Sequence, residues 1–143
     1  MVYICFDYGD RRTGVAISDA SAFLAGGLCT INMPSMTRTA EEAVRLAKKH
    51  GAEEAVVGLP LNMDGTEGAR AETAHAFGDM LIRLSDGYIK AVHYCDERLS
   101  TVEAHGILSF SNVHSKKRKK VIDTLSAELI LQYFLDEKRK NKQ

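Results

Sequence analysis

Asp7, the pair Asp96-Glu97 and Asp123 are the acids of this 143-residue chain whose placement could do chemistry. Asp7 closes an apolar run over residues 2–7, and a turn follows at once. An ionised carboxylate among apolar neighbours carries a desolvation cost unless a cation or hydrogen-bond donors meet it. Asp96 and Glu97 close a second apolar run over 89–95. Asp123 falls in the first turn of a final helix predicted over about 120–137, in line with Ala127, Ile130 and Phe134, the stripe that should pack inward. Its plainer alternative is an acid favoured by the helix dipole. Three carboxylates converging from separate elements repel one another unless protons or cations intervene, and hard oxygen ligands suit Mg²⁺ or Mn²⁺. Two such ions roughly 3.5 to 4 Å apart can activate water and stabilise a leaving oxygen, so the chemistry expected is phosphodiester hydrolysis.

Charge points the same way. The net charge is zero, yet residues 1–115 carry ten Lys/Arg against fifteen Asp/Glu, and 116–143 carry nine against four. The excess lies in Lys116, Lys117, Arg118, Lys119 and Lys120 and in a second cluster over 138–142. Such runs attract phosphate backbones, although a solvated helix end explains them as well. Arg11 and Arg12, in the turn after Asp7, are candidates for the same backbone, as is Asn62 in the polar loop 62–66. For that loop, the plain alternative is a turn in which Thr66 caps the next helix. Arg98 could support a phosphate in bidentate fashion or pair with Asp96 or Glu103. Asp19 reads as a cap or turn residue at the far end of its strand from the site.

The elements that must position these groups follow from apolar patterning. Runs over 2–7 and 14–18 predict a hairpin, and a weaker strand over 24–32 extends it to an antiparallel meander closed by Pro34. Ala40, Ala43, Val44 and Ala47 share a helical face, with Thr39 and Glu42 as a capping box and Gly51 as the stop. Residues 55–60 predict a buried parallel strand. A helix with Ala74, Phe77, Leu81 and Leu84 aligned comes next, then the strand over 89–95 and a short helix from Ser100, paired with Glu103, to about Leu108. Right-handed crossovers place the fourth and fifth strands parallel to the first, so Asp7 and Asp96-Glu97 share the carboxyl edge where ligands of open α/β sheets bind.

Length and 45% hydrophobic content predict one domain spanning residues 1–143. Cys5, Cys29 and Cys95 read as free core thiols, which together with the lack of a signal-peptide pattern or a long apolar run predicts a cytoplasmic protein. His50, His75, His93, His105 and His114 show no zinc spacing and read as surface or satisfied residues.

Four motifs, in order, carry a family resemblance: Asp7-Tyr8-Gly9 with Arg11-Arg12-x-Gly14-Val15-Ala16 and Ser18-Asp19; Val57-Gly58-Leu59-Pro60-Leu61-Asn62-x-Asp64-Gly65-Thr66; Asp96-Glu97-Arg98-Leu99-Ser100-Thr101; and Val121-Ile122-Asp123 after the Lys-rich run, with Ile130-Leu131-Gln132. The chain resembles the YqgF (RuvX) family of ribonuclease-H-like nucleases over nearly its whole length. The resemblance implies an α/β, ribonuclease-H-like fold with a five-stranded mixed sheet ordered 3-2-1-4-5. It also implies a two-metal site on Asp7, Glu97 and Asp123, and a role in maturing the 5′ end of 16S ribosomal RNA precursor. Asp96 stands as the alternative to Glu97, because strand alternation cannot choose between them without the register. Asp10, Arg11 and Ser126 depart from the family pattern, and Asp10 adds an acid that could compete for metal. A Holliday-junction resolvase acting on DNA is the alternative function. An actin-like nucleotide-binding half and a non-catalytic RNA-binding assembly factor are further rivals. The partner is nucleic acid, and the assembly is a monomer or a homodimer. A resolvase cuts two symmetric strands and wants the dimer.

Overall fold

In the computed structural model, which describes residues 1–96 and 115–141, the apolar runs become strands β1 (Tyr3–Asp7), β2 (Thr13–Ser18), β3 (Ala25–Ile31), β4 (Glu54–Leu59) and β5 (Ala91–Asp96). Helices α1 (Met36–His50), α2 (Ala69–Leu84) and α3 (Ser115–Asn141) complete the described elements. The sheet has the order β3-β2-β1-β4-β5. β1, β2 and β3 form the antiparallel meander, and β4 and β5 run parallel to β1. This is the mixed, ribonuclease-H-like sheet that the sequence predicts.

Alternation along the strands sorts the core into two layers. Ile4, Phe6, Val15, Ala55 and Val57 pack with α1 and α2, where Phe77 meets Phe6 edge-on at 5.7 Å between ring centroids. Tyr3, Cys5, Ala16, Val56 and Cys95 face the other way, onto Ala127, Ile130, Leu131 and Leu135 of α3. Full burial of side chains such as Phe6 or Ile130 contributes about 1.5–3 kcal/mol each. All three cysteines are free thiols, two of them buried and Cys29 half-buried.

Four expectations need correction. The N-cap of α1 is Ser35, whose hydroxyl accepts from Arg38 N at 3.2 Å. Thr39 is buried a turn later and donates its hydroxyl back to Ser35 O at 2.9 Å, so no capping box forms on Thr39 and Glu42. The helix does stop at Gly51, in the left-handed conformation. Thr66 does not cap α2: the N-cap is Gly68, with no side-chain bond. Leu84, at the last turn of α2, is exposed, whereas Ala74, Phe77 and Leu81 are buried. The final helix begins at Ser115, five residues before the predicted start, so the basic run 116–120 is helical and Asp123 lies beyond the first turn. Lys and Arg are good helix formers but give no apolar periodicity, so the pattern registers only from Val121 onward. The short helix expected over 100–108 lies outside the described residues.

The C-terminal half of α3 is fastened to the turn between β2 and β3. Gln132 accepts from Ala25 N at 2.9 Å and donates to Phe23 O at 3.0 Å, and Arg139 Nη1 donates to the same carbonyl at 2.9 Å. Nearer its middle, α3 comes so close to β3 that a Cβ at Gly27 would lie 2.1 Å from Thr124 Cγ2. The bare backbone at Gly27 therefore sets the height of α3 above the sheet beside Asp123.

Candidate active site

The site is built from the carboxyl edge of the sheet. Asp7 is the last residue of β1 and is half-buried. Tyr3 and Cys5, four and two positions earlier, face α3, so alternation puts Asp7 on the α3 face. Across the antiparallel pair, Asp7 is matched with Gly14. On the parallel side, Phe6 is matched with Val57, which brings Gly58 level with Asp7. Both strand neighbours of the acid thus lack a side chain.

β5 reaches the same edge, with Cys95 beside Gly58 and Asp96 beside Leu59. Cys95 packs against α3, as does His93 through its ring contacts with Tyr3 and Phe134. Val92 and Tyr94 pack toward α1 and α2. Asp96 follows in their alternation, away from the face that Asp7 occupies. Glu97 and Arg98 lie outside the described residues. Asp123 is on α3, one and two turns before Ala127 and Ile130, both buried against the sheet. The side chains of Lys116, Lys117, Arg118, Lys119, Lys120 and Asp123 lie outside what is described. Among the described residues no group of three His, Cys, Asp or Glu side chains could hold a metal.

The turn between β1 and β2 presents Arg11 and Arg12 as exposed side chains at this edge. Its first residue, Tyr8, is stacked on Phe77 of α2 with 4.7 Å between ring centroids. Burial, with a smaller contribution from Asp10, pushes the Tyr8 phenol above its ordinary range, so it keeps its proton at neutral pH. Tyr8, Gly9, Asp10, Pro60, Arg70 and Thr73 help line a cleft of ≈ 190 Å³ on the α2 side. Sequence reading passed over Tyr8 and Arg70. Their signal was positional: Tyr8 follows the strand-ending acid, and Arg70 stands two residues after Gly68, in the first turn of α2.

The loop 62–66 lies between β4 and α2 at the same edge and is held by its own hydrogen bonds. Asn62 N donates to Thr66 O at 2.9 Å, and Gly65 N donates to Asn62 O at 2.8 Å, with Gly65 at φ +88°. Thr66 donates its N–H and its hydroxyl to Asp64 Oδ1 at 3.0 and 2.6 Å. Asn62 Nδ2 donates to Thr66 Oγ1 at 3.1 Å, and Leu61 and Glu67 form a bridge beneath. The amide of Asn62 thus helps fasten the loop.

Away from the edge, Asp19 accepts from Phe23 N at 2.7 Å, Ser21 Oγ at 2.7 Å and Leu24 N at 3.2 Å, the turn role expected of it. His75 pairs with Glu67 and His93 with Glu54, at 2.8 and 2.7 Å.

Residues 1–137 match the model of the family described as "RuvX: Holliday junction resolvase". The chain belongs to the RuvX family. A RuvX relative from Carboxydothermus hydrogenoformans, named "Putative pre-16S rRNA nuclease", is 43% identical over 99% of this chain and 100% of its own length. One of the same name from Halothermothrix orenii is 45% identical over 94% of each chain. Among solved structures, Thermus thermophilus RuvC in complex with a Holliday junction substrate superposes with a TM-score of 0.60 at 9% identity, covering 97% of this chain and 96% of its own. The Fowlpox virus resolvase in complex with junction DNA gives 0.58 at 11% identity, covering 96% and 98%. At such identities the likeness concerns the fold. RuvX membership over this span also removes the actin-like rival.

Proposed function

We propose that this RuvX chain is a divalent-metal-dependent nuclease that hydrolyses phosphodiester bonds in the 5′-end maturation of 16S ribosomal RNA precursor. The observation that carries the reading is Asp7: a half-buried acid at a strand end, on the α3 face, with Gly14 and Gly58 on either side. Glycine on both sides means that no side chain from either neighbouring strand position competes with ions or a phosphate for the carboxylate. Alternation along β5 turns Asp96 away from the α3 face, which favours the Glu97 that the family resemblance implies as the second acid. Helical spacing in α3 favours Asp123 as the third.

Oxygen ligands of this kind fit Mg²⁺ or Mn²⁺, and Asp7, Glu97 and Asp123 are the residues that would hold them. When bound, such ions supply Lewis-acid activation of water and stabilisation of the departing oxygen. The chain's own contribution is to carry Asp7 on β1 and Asp123 on α3 and to bring the backbone in with Arg11, Arg12, Arg98 and the basic run 116–120. Asn62 orders the loop that borders the path. No helix among the described residues is long and apolar enough to cross a membrane. With free thiols at Cys5, Cys29 and Cys95, a cytoplasmic location is the fitting one.

The precursor RNA is favoured as substrate because relatives matching this chain end to end carry that name. The family description favours a second reading, cleavage of a four-way DNA junction. End-labelled 16S precursor and a four-way junction, incubated with Mg²⁺, Mn²⁺ or EDTA, separate the two. Metal-dependent cutting of the RNA alone, lost in Asp7→Asn, supports the ribonuclease. Cutting of the junction alone moves the assignment to resolvase. Cutting of neither sinks the nuclease reading and favours the non-catalytic binding module.

A further inference from the structure

The acids of the α3 face do not account for the cleft of ≈ 190 Å³ on the α2 side of the same edge. Tyr8 forms one wall of it and belongs to the layer packed with α1 and α2, whereas Tyr3 and Cys5 set Asp7 on the α3 face. Consecutive Cα atoms stand about 3.8 Å apart. Asp7 and Tyr8 therefore address the two sides of one sheet edge, and the cleft begins at the residue next to the acid.

Three side chains of the cleft complement a sugar and its phosphate. Arg70, in the first turn of α2, is exposed and has no hydrogen-bond or ion-pair partner among the described residues. The half-buried Tyr8 hydroxyl has no hydrogen-bond partner among them either. Asp10 is carried by a turn that closes tightly: Gly9 N donates to Thr13 Oγ1 at 3.4 Å, and a Cβ at Gly9 would lie 2.5 Å from Arg12 O. A guanidinium takes a phosphate in bidentate fashion, a carboxylate only accepts and so suits a sugar hydroxyl, and a phenol does either. A lone phosphate would be repelled by Asp10, whereas a phosphate carried on a ribose gives each group its partner. Pockets that enclose a whole small ligand measure about 300–1,000 Å³, so this cleft fits one such unit of a longer strand.

We infer that the cleft is a ribose subsite, in which Asp10 accepts a hydrogen bond from the 2′-hydroxyl of the nucleotide next to the scissile phosphate and Arg70 holds that nucleotide's own phosphate. Carboxylates bind ribose 2′-hydroxyls in the same manner in dinucleotide sites. The 2′-hydroxyl is the group by which a protein tells RNA from DNA at a given position. The inference rests on the nuclease reading and deepens it, from the bond cleaved to the sugar that must stand beside it. It also gives Asp10 a role on the substrate side of the edge.

The test measures binding by fluorescence anisotropy in EDTA, where nothing is cut. The probes are an RNA strand spanning the 5′ end of 16S within its precursor, and the same strand with a single 2′-deoxy sugar moved through successive positions. For wild type, one position should be sensitive, its deoxy form binding at least about tenfold more weakly, as expected for a hydrogen bond to a charged group. Asp10→Ala should bind the all-ribose strand as weakly as wild type binds that deoxy strand, and the sensitivity should vanish. Arg70→Gln should weaken every strand, flatten the slope of log affinity against log salt by about 0.7 and keep the sensitive position. Tolerance of every deoxy sugar by wild type overturns the subsite, as does a sensitive position that persists in Asp10→Ala. An unchanged slope in Arg70→Gln overturns the phosphate contact. Cleavage of the all-ribose strand with Mg²⁺ or Mn²⁺ is followed separately. Cutting without a sensitive position strikes the subsite and leaves the nuclease standing, whereas a sensitive position without cutting strikes the nuclease reading and leaves the ribose contact.

Discussion

Asp7 and Gly14 stand opposite one another across the antiparallel pair of β1 and β2. Cross-strand partners have Cβ atoms about 4.5–5.5 Å apart, so any side chain placed at position 14 would crowd the carboxylate. Gly14→Val should therefore lower metal-dependent cleavage at least about tenfold, with Gly14→Ala intermediate, while far-ultraviolet circular dichroism stays that of a folded chain. Undiminished cutting by Gly14→Val would mean that Asp7 tolerates a side chain across the strand pair.

Removing the acid itself is the stricter trial. Asp7→Asn keeps the shape of the side chain but removes its charge, and with it several kcal/mol of transition-state stabilisation. A rate loss of at least about 10³-fold is expected, since each tenfold corresponds to 1.36 kcal/mol. Thermal stability should be unchanged or slightly raised, because repulsion among the acids is relieved. A variant that still cuts at the wild-type rate would place the chemistry elsewhere.

Gly27 offers a test of how α3 is seated. Gly27→Ala would drive a methyl to 2.1 Å from Thr124 Cγ2, and overpacking of this kind costs about 1–3 kcal/mol. Because Asp123 is the neighbour of Thr124, lifting the helix should reduce cleavage by more than the stability loss explains. Thr124→Ser removes the clashing methyl and keeps the hydroxyl. The double variant should recover both properties, and urea titrations alongside initial rates would show whether it does.

The basic run can be judged by salt. Replacing Lys117, Arg118 and Lys119 with Gln removes three positive charges from α3. Each phosphate contact on a single strand contributes about 0.7 to the slope of log affinity against log salt, so the slope should flatten by about two. Fluorescence anisotropy over a range of KCl concentrations gives the slope directly. An unchanged slope would assign the run to solvent.

Asp19 gives a pH dependence. The Phe23 amide, the Ser21 hydroxyl and the Leu24 amide together hold its carboxyl below the ordinary aspartate range. With the folded value depressed, its contribution to stability is fully present above the unfolded value, about 4, and is lost as pH falls through the lower folded value. The stability gap between wild type and Asp19→Ala should be constant from pH 7 down to about 5 and close at more acidic pH. Urea midpoints measured across that range would expose a gap that persists.

Much of this arrangement was legible because it rests on local pattern. The apolar runs ending in Asp7 and Asp96, the turn between β1 and β2, and the parallel course of β4 and β5 follow from period-two burial and crossover handedness, whereas the strand order comes from the family resemblance. The choice between Asp96 and Glu97 was not legible, because it depends on which face Cys95 takes, and neighbours on β4 and α3 decide that. Ser35 and Thr39 show a second limit. Both are hydroxyl residues near the start of one helix, and only the backbone reveals that Thr39 is already inside it, bonding back to Ser35. Met63 shows a third. In sequence it is an apolar residue following Leu61 and Asn62, and its exposure comes from how the loop closes.

The fastening of α3 onto the turn between β2 and β3 joins residues 107 and 116 positions apart, Ala25 to Gln132 and Phe23 to Arg139. Chains are made from the amino end, and contacts of such long range close late. While the last quarter of the chain is still being made, the sheet holds Asp7 with no helix over that face. Until Gln132 and Arg139 have been made, nothing fastens α3 over the face that Asp7 occupies.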